Sequence, residues 1–162
     1  MKRLAILFVF ISILLCSCGT KEKKYFMTED SIKIFTDNKQ AFYNVQAAFK
    51  VEDIKDDLLG LTRDNYTQYN LSNQQINSIE EIFRIPEIEG ISFIMFTDTY
   101  RKDEKLSGIK GYELTFFMHK KGYEGDMTIV FNPPNDIRKS PSITQIDTEW
   151  YVENSLPDKA LD

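Results

Sequence analysis

Histidine and cysteine are nearly absent from this chain of 162 residues, which holds one histidine, His119, and two cysteines, Cys16 and Cys18. A zinc site draws three or four ligands largely from those two residue types, and so few of them cannot supply it. Serine and cysteine hydrolases need a base beside the nucleophile and a partner that orients the base. His119 could be that base, but no Gly-x-Ser-x-Gly elbow accompanies it. Glycine is sparse too, and no Gly-rich loop of the kind that cradles phosphate occurs. Asp64-Asn65-Tyr66 lacks the alternating oxygen ligands and central glycine of a calcium loop.

Long apolar runs are equally scarce, and the single one sits at the start. Lys2 and Arg3 precede Leu4–Cys16, a run interrupted only by Ser12. Its 13 residues would rise roughly 20 Å as a helix, short of the ~30 Å of a bilayer core. That length suits the apolar part of a secretion signal better than a permanent span. Leu15-Cys16-Ser17-Cys18-Gly19 follows directly and resembles the lipobox of bacterial lipoproteins, with Leu at −3, a small residue at −1 and Cys18 at +1. Cys16 at −2 departs from the usual Ala, Ser, Thr or Val. Taking Cys16 as the modified residue fits worse, because bulky Leu15 would then occupy the small position.

The resemblance implies removal of residues 1–17 as a signal peptide, a diacylglycerol (palmitate-type) thioether on Cys18 and acylation of the new amino terminus. Each buried methylene adds ~0.8 kcal/mol, so one chain binds marginally and two or more hold firmly. The implied address is the bacterial cell envelope, at the outer membrane, with the bilayer as partner through Cys18. Two plainer alternatives are an ordinary secretion signal with chance cysteines and a retained transmembrane helix.

Without residues 1–17 the chain has 145 residues and 18 basic against 25 acidic side chains, a formal charge of −7. Nucleic acid is excluded as a partner on that balance, since phosphate binding rests on clustered Lys and Arg. The same charge argues against a body lying flat on anionic lipid. Cys18 would be the last thiol and would carry lipid, so neither a disulfide nor a thiolate–metal site remains. Stability then rests on an apolar core, for which one domain of this length is large enough.

Residues 18–26 read as a lipidated tether and 27–162 as a single α+β domain. Thr28 is placed to cap a helix with Met27 stapled onto Ile32, and Ile32, Phe35, Phe42, Val45 and Phe49 extend helical spacing over roughly 29–50. Thr36-Asp37-Asn38 is a candidate break. Glu52–Leu59 reads as a further helical turn or two, and 62–71 as a loop. Ser72-Asn73-Gln74-Gln75 fits a capping box for a helix that ends before Pro86, with Ile76, Ile79, Ile82 and Phe83 on its buried face. From Gly90 the period changes to two. Ile91–Thr97, Tyr112–His119, Met127–Asn132 and Ile146–Val152 predict about four strands in an antiparallel meander, with the helices on one face.

No catalytic residue emerges, and no cofactor or metal ligand is assigned. Ser107-Gly108-Ile109-Lys110 matches Ser-x-x-Lys, but its companion motifs are missing and the serine does not open a helix. Arg101–Lys105 is a mixed-charge loop tip. His119 is expected on the solvent face of a strand. Glu52, Asp53, Asp56, Asp57, Glu80, Glu81, Glu87, Glu89, Asp147 and Glu149 supply carboxylates, which perform acid–base chemistry only where a cleft separates their pKa values. Tyr66, Tyr69, Tyr100, Tyr123 and Tyr151 fall in expected loops or on the polar sheet face, where tyrosine suits recognition; filling loop–body gaps is the plainer account. The helix-plus-meander with its Ile143–Tyr151 ending is similar to small bacterial lipoproteins of unassigned activity, some of which are immunity or inhibitor proteins. A non-catalytic binding domain with an unknown protein partner is the leading expectation. A small periplasmic or surface hydrolase using paired carboxylates is the alternative.

Overall fold

Helical periodicity near the amino terminus produces two helices where one was expected. In the computed structural model, which describes residues 23–50, 58–96, 111–131 and 141–154, α1 spans Thr28–Asp37 and α2 spans Lys39–Ala48. The break falls at Asn38, inside the suspected cluster. Its amide Nδ2 donates to the Ile34 carbonyl at 2.9 Å, so a short polar side chain competes with the helical ladder and ends it. The start also differs by one residue. Met27 rather than Thr28 is the N-cap, and the Asp30 carboxylate accepts its N–H at 3.3 Å. Met27 stays 39% exposed, while Phe26 before it is fully buried. Lys24, Tyr25 and Phe26 are already fixed against Glu124, so the ordered body takes in residues ahead of Met27.

The capping box of α3 (Asn73–Ile82) forms as written in the sequence. Ser72 Oγ accepts the Gln75 N–H at 3.3 Å, and Gln75 Oε1 accepts the Ser72 N–H at 2.8 Å. Ile79 and Ile82 are fully buried, and the helix ends ahead of Pro86. The turn that follows is held by Arg63, whose role the sequence did not signal. Its guanidinium donates to the carbonyls of Phe83, Ile85 and Ile88, satisfying acceptors at the helix end and in the chain just after it.

Among the described residues six strands form one antiparallel sheet: β1 (Leu58–Thr62), β2 (Ile88–Phe96), β3 (Gly111–His119), β4 (Asp126–Phe131), β5 (Ile143–Asp147) and β6 (Trp150–Asn154). The order is β1-β2-β3-β4-β6-β5, a meander through β4 after which β6 takes the inner place and β5 the edge. The class is therefore α+β as expected, but six strands replace about four, for two physical reasons. Leu58 and Leu59, read as helical, belong to β1, where Leu61 buries beside Ile91 and tertiary pairing overrides a weak local preference. The run expected as one strand from Ile146 to Val152 is a hairpin. Its two-residue turn, Thr148-Glu149, lacks Gly, Pro and Asn. Side chains close it instead: Asp147 Oδ1 accepts the Thr148 N–H at 2.8 Å, and Gln145 Nε2 donates to the carbonyls of Asp147 and Thr148. Between β3 and β4 the turn is of the expected kind, with Gly122 at φ 83 where other residues would be strained.

Trp150 lies at the centre of the core, 1% exposed. Its ring meets Phe35, Tyr43 and Phe42 from the helices, and Phe116 and Phe131 from the sheet, at centroid distances of 5.1–6.0 Å. Phe42 meets Phe116 edge-on at 4.8 Å, a favoured geometry for aromatic pairs. The Tyr112 hydroxyl, 3.0 Å from the Gln46 carbonyl and 2.9 Å from that of Phe49, caps the end of α2 from the sheet. The rings of α1 and α2 thus cover one sheet face.

Candidate functional site

Alternation along the strands sends the remaining side chains to the other face, which no described helix covers. The register places Thr62, Gly90, Phe117, Thr128, Glu153 and Ile143 in one row across the sheet, and Gly60, Ser92, Thr115, Val130, Tyr151 and Gln145 in the next. Ile94 and Glu113 pair beyond them. Phe117 is 48% exposed and Ile94 42%, while Ser92, Thr115, Val130 and Tyr151 are buried. Two large apolar groups are therefore partly in solvent among polar neighbours.

On this face the Glu113 carboxyl has a displaced titration. Burial pushes its pKa up, a hydrogen bond from Thr115 Oγ1 at 3.1 Å pulls the other way, and the Glu153 carboxylate adds a further upward push. A carboxyl held toward its neutral form can donate a hydrogen bond or a proton. Glu113 was not among the candidate carboxylates. Its strand alternation marked it as facing outward, and sequence carries no sign of how much water reaches it.

The expected recognition tyrosines do not gather into one surface. Tyr66 and Tyr69 lie together on the short 3-10 turn Tyr66–Gln68 and just after it. The Tyr66 ring is 6.0 Å from Phe83, and the Tyr69 hydroxyl donates to the Gly60 carbonyl at 3.1 Å. Tyr123 sits at the β3–β4 turn with the Lys120 ammonium 4.2 Å over its ring. Tyr151 is buried on the helix-free face. Tyr100 lies outside the described residues, as do Cys18, the lipobox, Glu52, Asp53, Asp56, Asp57 and the Ser107–Lys110 segment.

Asp147, one of the candidate carboxylates, is strongly perturbed. It accepts from Lys39 Nζ at 2.5 Å, from the Thr148 N–H and from the Tyr43 hydroxyl at 2.9 Å, and these hold its pKa at about 2. The cluster pins the β5–β6 turn to α2 and leaves no base free for chemistry. Glu81 accepts from Asn44 and Glu80 lies 3.4 Å from the Tyr66 hydroxyl. Two grooves adjoin Glu81. One of about 440 Å³ is lined by Asp37, Ala41, Arg84 and Ile85, and one of about 430 Å³ by the amides Asn44, Gln74 and Asn77. His119 is partly exposed, with Nδ1 2.9 Å from Asp126 Oδ1 across the strand pair.

Among the described residues no cluster of His, Cys, Asp or Glu could hold a metal ion, and no helix is long and apolar enough to cross a membrane. The fold and the face together define an α+β domain with one side covered by helices and one that no described helix covers. No protein-family model, no curated protein and no solved structure matches the chain.

Proposed function

We propose that the chain is an envelope lipoprotein, held on the outer membrane by acyl chains on Cys18, whose domain binds another protein and performs no catalysis. The observation that carries the binding half is the helix-free face, where Phe117 and Ile94 stand exposed among polar neighbours. Exposed large apolar groups inside a polar surround favour protein contact, because their burial contributes while the rim stays satisfied. The acidic balance fits a basic partner, as an immunity or inhibitor protein would have. Photo-crosslinking tests this reading in cells. A crosslinker at Phe117 is expected to capture one identifiable protein, and one at Lys33 on the exposed side of α1 is not. Equal capture from both positions, or none at Phe117, would sink the proposal.

A second reading, an envelope hydrolase working through paired carboxylates, is favoured by one observation: Glu113 is pushed toward its neutral form with Glu153 nearby. Two carboxyls on one surface, one of them held toward its neutral form, is a pattern used in general acid–base hydrolysis. Turnover of a wall or glycan substrate that is lost in both Glu113→Gln and Glu153→Gln would favour it over binding.

A further inference from the structure

The chain enters the domain at one end of the sheet, and that entry is fixed. The Glu124 N–H donates to the Lys24 carbonyl at 2.7 Å, and the Phe26 N–H donates to the Glu124 carbonyl at 2.9 Å. Tyr25 and Glu124 form a parallel bridge, the Lys23 ammonium lies 3.0 Å from Glu124 Oε1, and Phe26 is fully buried. These contacts hold the incoming segment against the β3–β4 turn, so the domain cannot swivel freely about Met27. Five residues lie between Cys18 and Lys24, six steps along the chain. At ~3.3–3.6 Å per residue even a fully extended segment spans only about 20 Å.

The rest of the sheet runs away from that point. β3 arrives at the turn after nine residues, so its start at Gly111 lies about 30 Å off. The β5–β6 turn is at that distant end as well, since Trp150 pairs with both Phe131, the last residue of β4, and Asp147. The near end carries both signs, with exposed Glu124 and Asp126 beside the lysines. Lys23 is paired with Glu124, and Lys120 with Asp30 at 2.9 Å. Lys24 and Lys121 are exposed and carry no ion pair among the described residues. An ammonium near an anionic leaflet gains about 1 kcal/mol.

We propose that the domain stands on the bilayer on its β3–β4 turn, with Lys24 and Lys121 against lipid phosphates and the helix-free face and the β5–β6 turn held out from the membrane. This rests on the reading of Cys18 as lipidated. It removes the conflict between an acidic body and an anionic surface, because only one narrow end meets the lipid.

The processed protein is reconstituted into phosphatidylethanolamine–phosphatidylglycerol vesicles, and fatty-acid labelling is measured first. Cys18 is capped by its thioether, so Lys121→Cys, which leaves Lys24 and the fixed entry segment to hold the orientation, and, separately, Thr148→Cys each introduce a single thiol for a fluorophore. A quencher attached to lipid head groups is expected to remove most emission from position 121 and to leave position 148 at the level seen with unmodified vesicles. Equal quenching at the two positions, or stronger quenching at 148, overturns the orientation while the anchor stands. Absence of fatty-acid labelling instead sinks the anchor reading, and the orientation with it. Both positions lie in exposed turns, and unchanged thermal unfolding of each labelled protein shows that the sites report on an intact domain.

Discussion

The two faces of the sheet share strands and backbone hydrogen bonds yet do different work. The covered face is built from Phe93, Leu114, Phe116, Ile129, Trp150 and Val152, all essentially without solvent contact and locked by rings from α1 and α2. The opposite face presents Thr62, Ser92, Thr115, Thr128 and Glu153, with Phe117 and Ile94 left in water. One face specifies the fold and tolerates little change. The other mixes buried Ser92, Thr115, Val130 and Tyr151 with the exposed rims of Phe117 and Ile94, whose apolar surface the fold leaves unused.

The widest test of that contrast is a pair of truncations. Trp150→Ala opens a cavity among Phe35, Phe42, Phe116 and Phe131 and is expected to lower unfolding free energy by about 3–5 kcal/mol in urea titrations. Phe117→Ala, on a half-exposed site, should lower it by only about 1 kcal/mol. A large loss at Phe117 would mean that this face too is part of the core, and the division between the faces would fall.

A narrower test uses one atom. Tyr112→Phe keeps the ring on the covered face and removes the hydroxyl that reaches the Gln46 and Phe49 carbonyls. Leaving an acceptor unmet at a buried helix end costs about 1–3 kcal/mol. The loss should appear in the denaturation midpoint with an unchanged slope. If Tyr112→Phe is as stable as the parent, the covered face is held by packing alone and the helix end finds water.

Much of the covered face was legible in the sequence, because burial imposes period. Ile79 and Ile82 at helical spacing and Leu114, Phe116 and Met118 at alternate positions can satisfy one core only in one way. The capping box at Ser72 was equally explicit. What failed was punctuation made by side chains. The Thr148-Glu149 turn is closed by Asp147 and Gln145 where glycine or proline would have announced it, and β1 hides its strand character in leucines that suit a helix as well. The free face was less legible still. Outward-pointing residues obey no packing rule, so the spacing that located Phe117 and Glu113 on that side could not distinguish a solvated position from a desolvated one. The scattering of Tyr66, Tyr123 and Tyr151 has the same origin, since exposure in a loop says nothing about which loops meet.

The smallest predicted effect lies in acid titration, where the helix-pinned turn and the free face should act in opposite directions. Asp147 falls from 3.8 to about 2, chiefly through its hydrogen bond with Lys39, then through the Thr148 N–H and the Tyr43 hydroxyl. A carboxyl depressed by folding contributes stability that is fully present above its unfolded pKa and is lost as pH falls toward the folded value. Its contribution should fade between about pH 4 and about pH 2, and Asp147→Asn should flatten that limb of the stability curve. Glu113 runs the other way. Its pKa is raised by burial, so the folded state holds the proton more tightly, and stability declines as pH rises from 4.5 through the raised value. Glu113→Gln should remove that decline while leaving the acid limb governed by Asp147 in place. If both variants flatten the same limb, Glu113 is as well solvated as an ordinary surface carboxylate, and the helix-free face loses its one chemically distinct group.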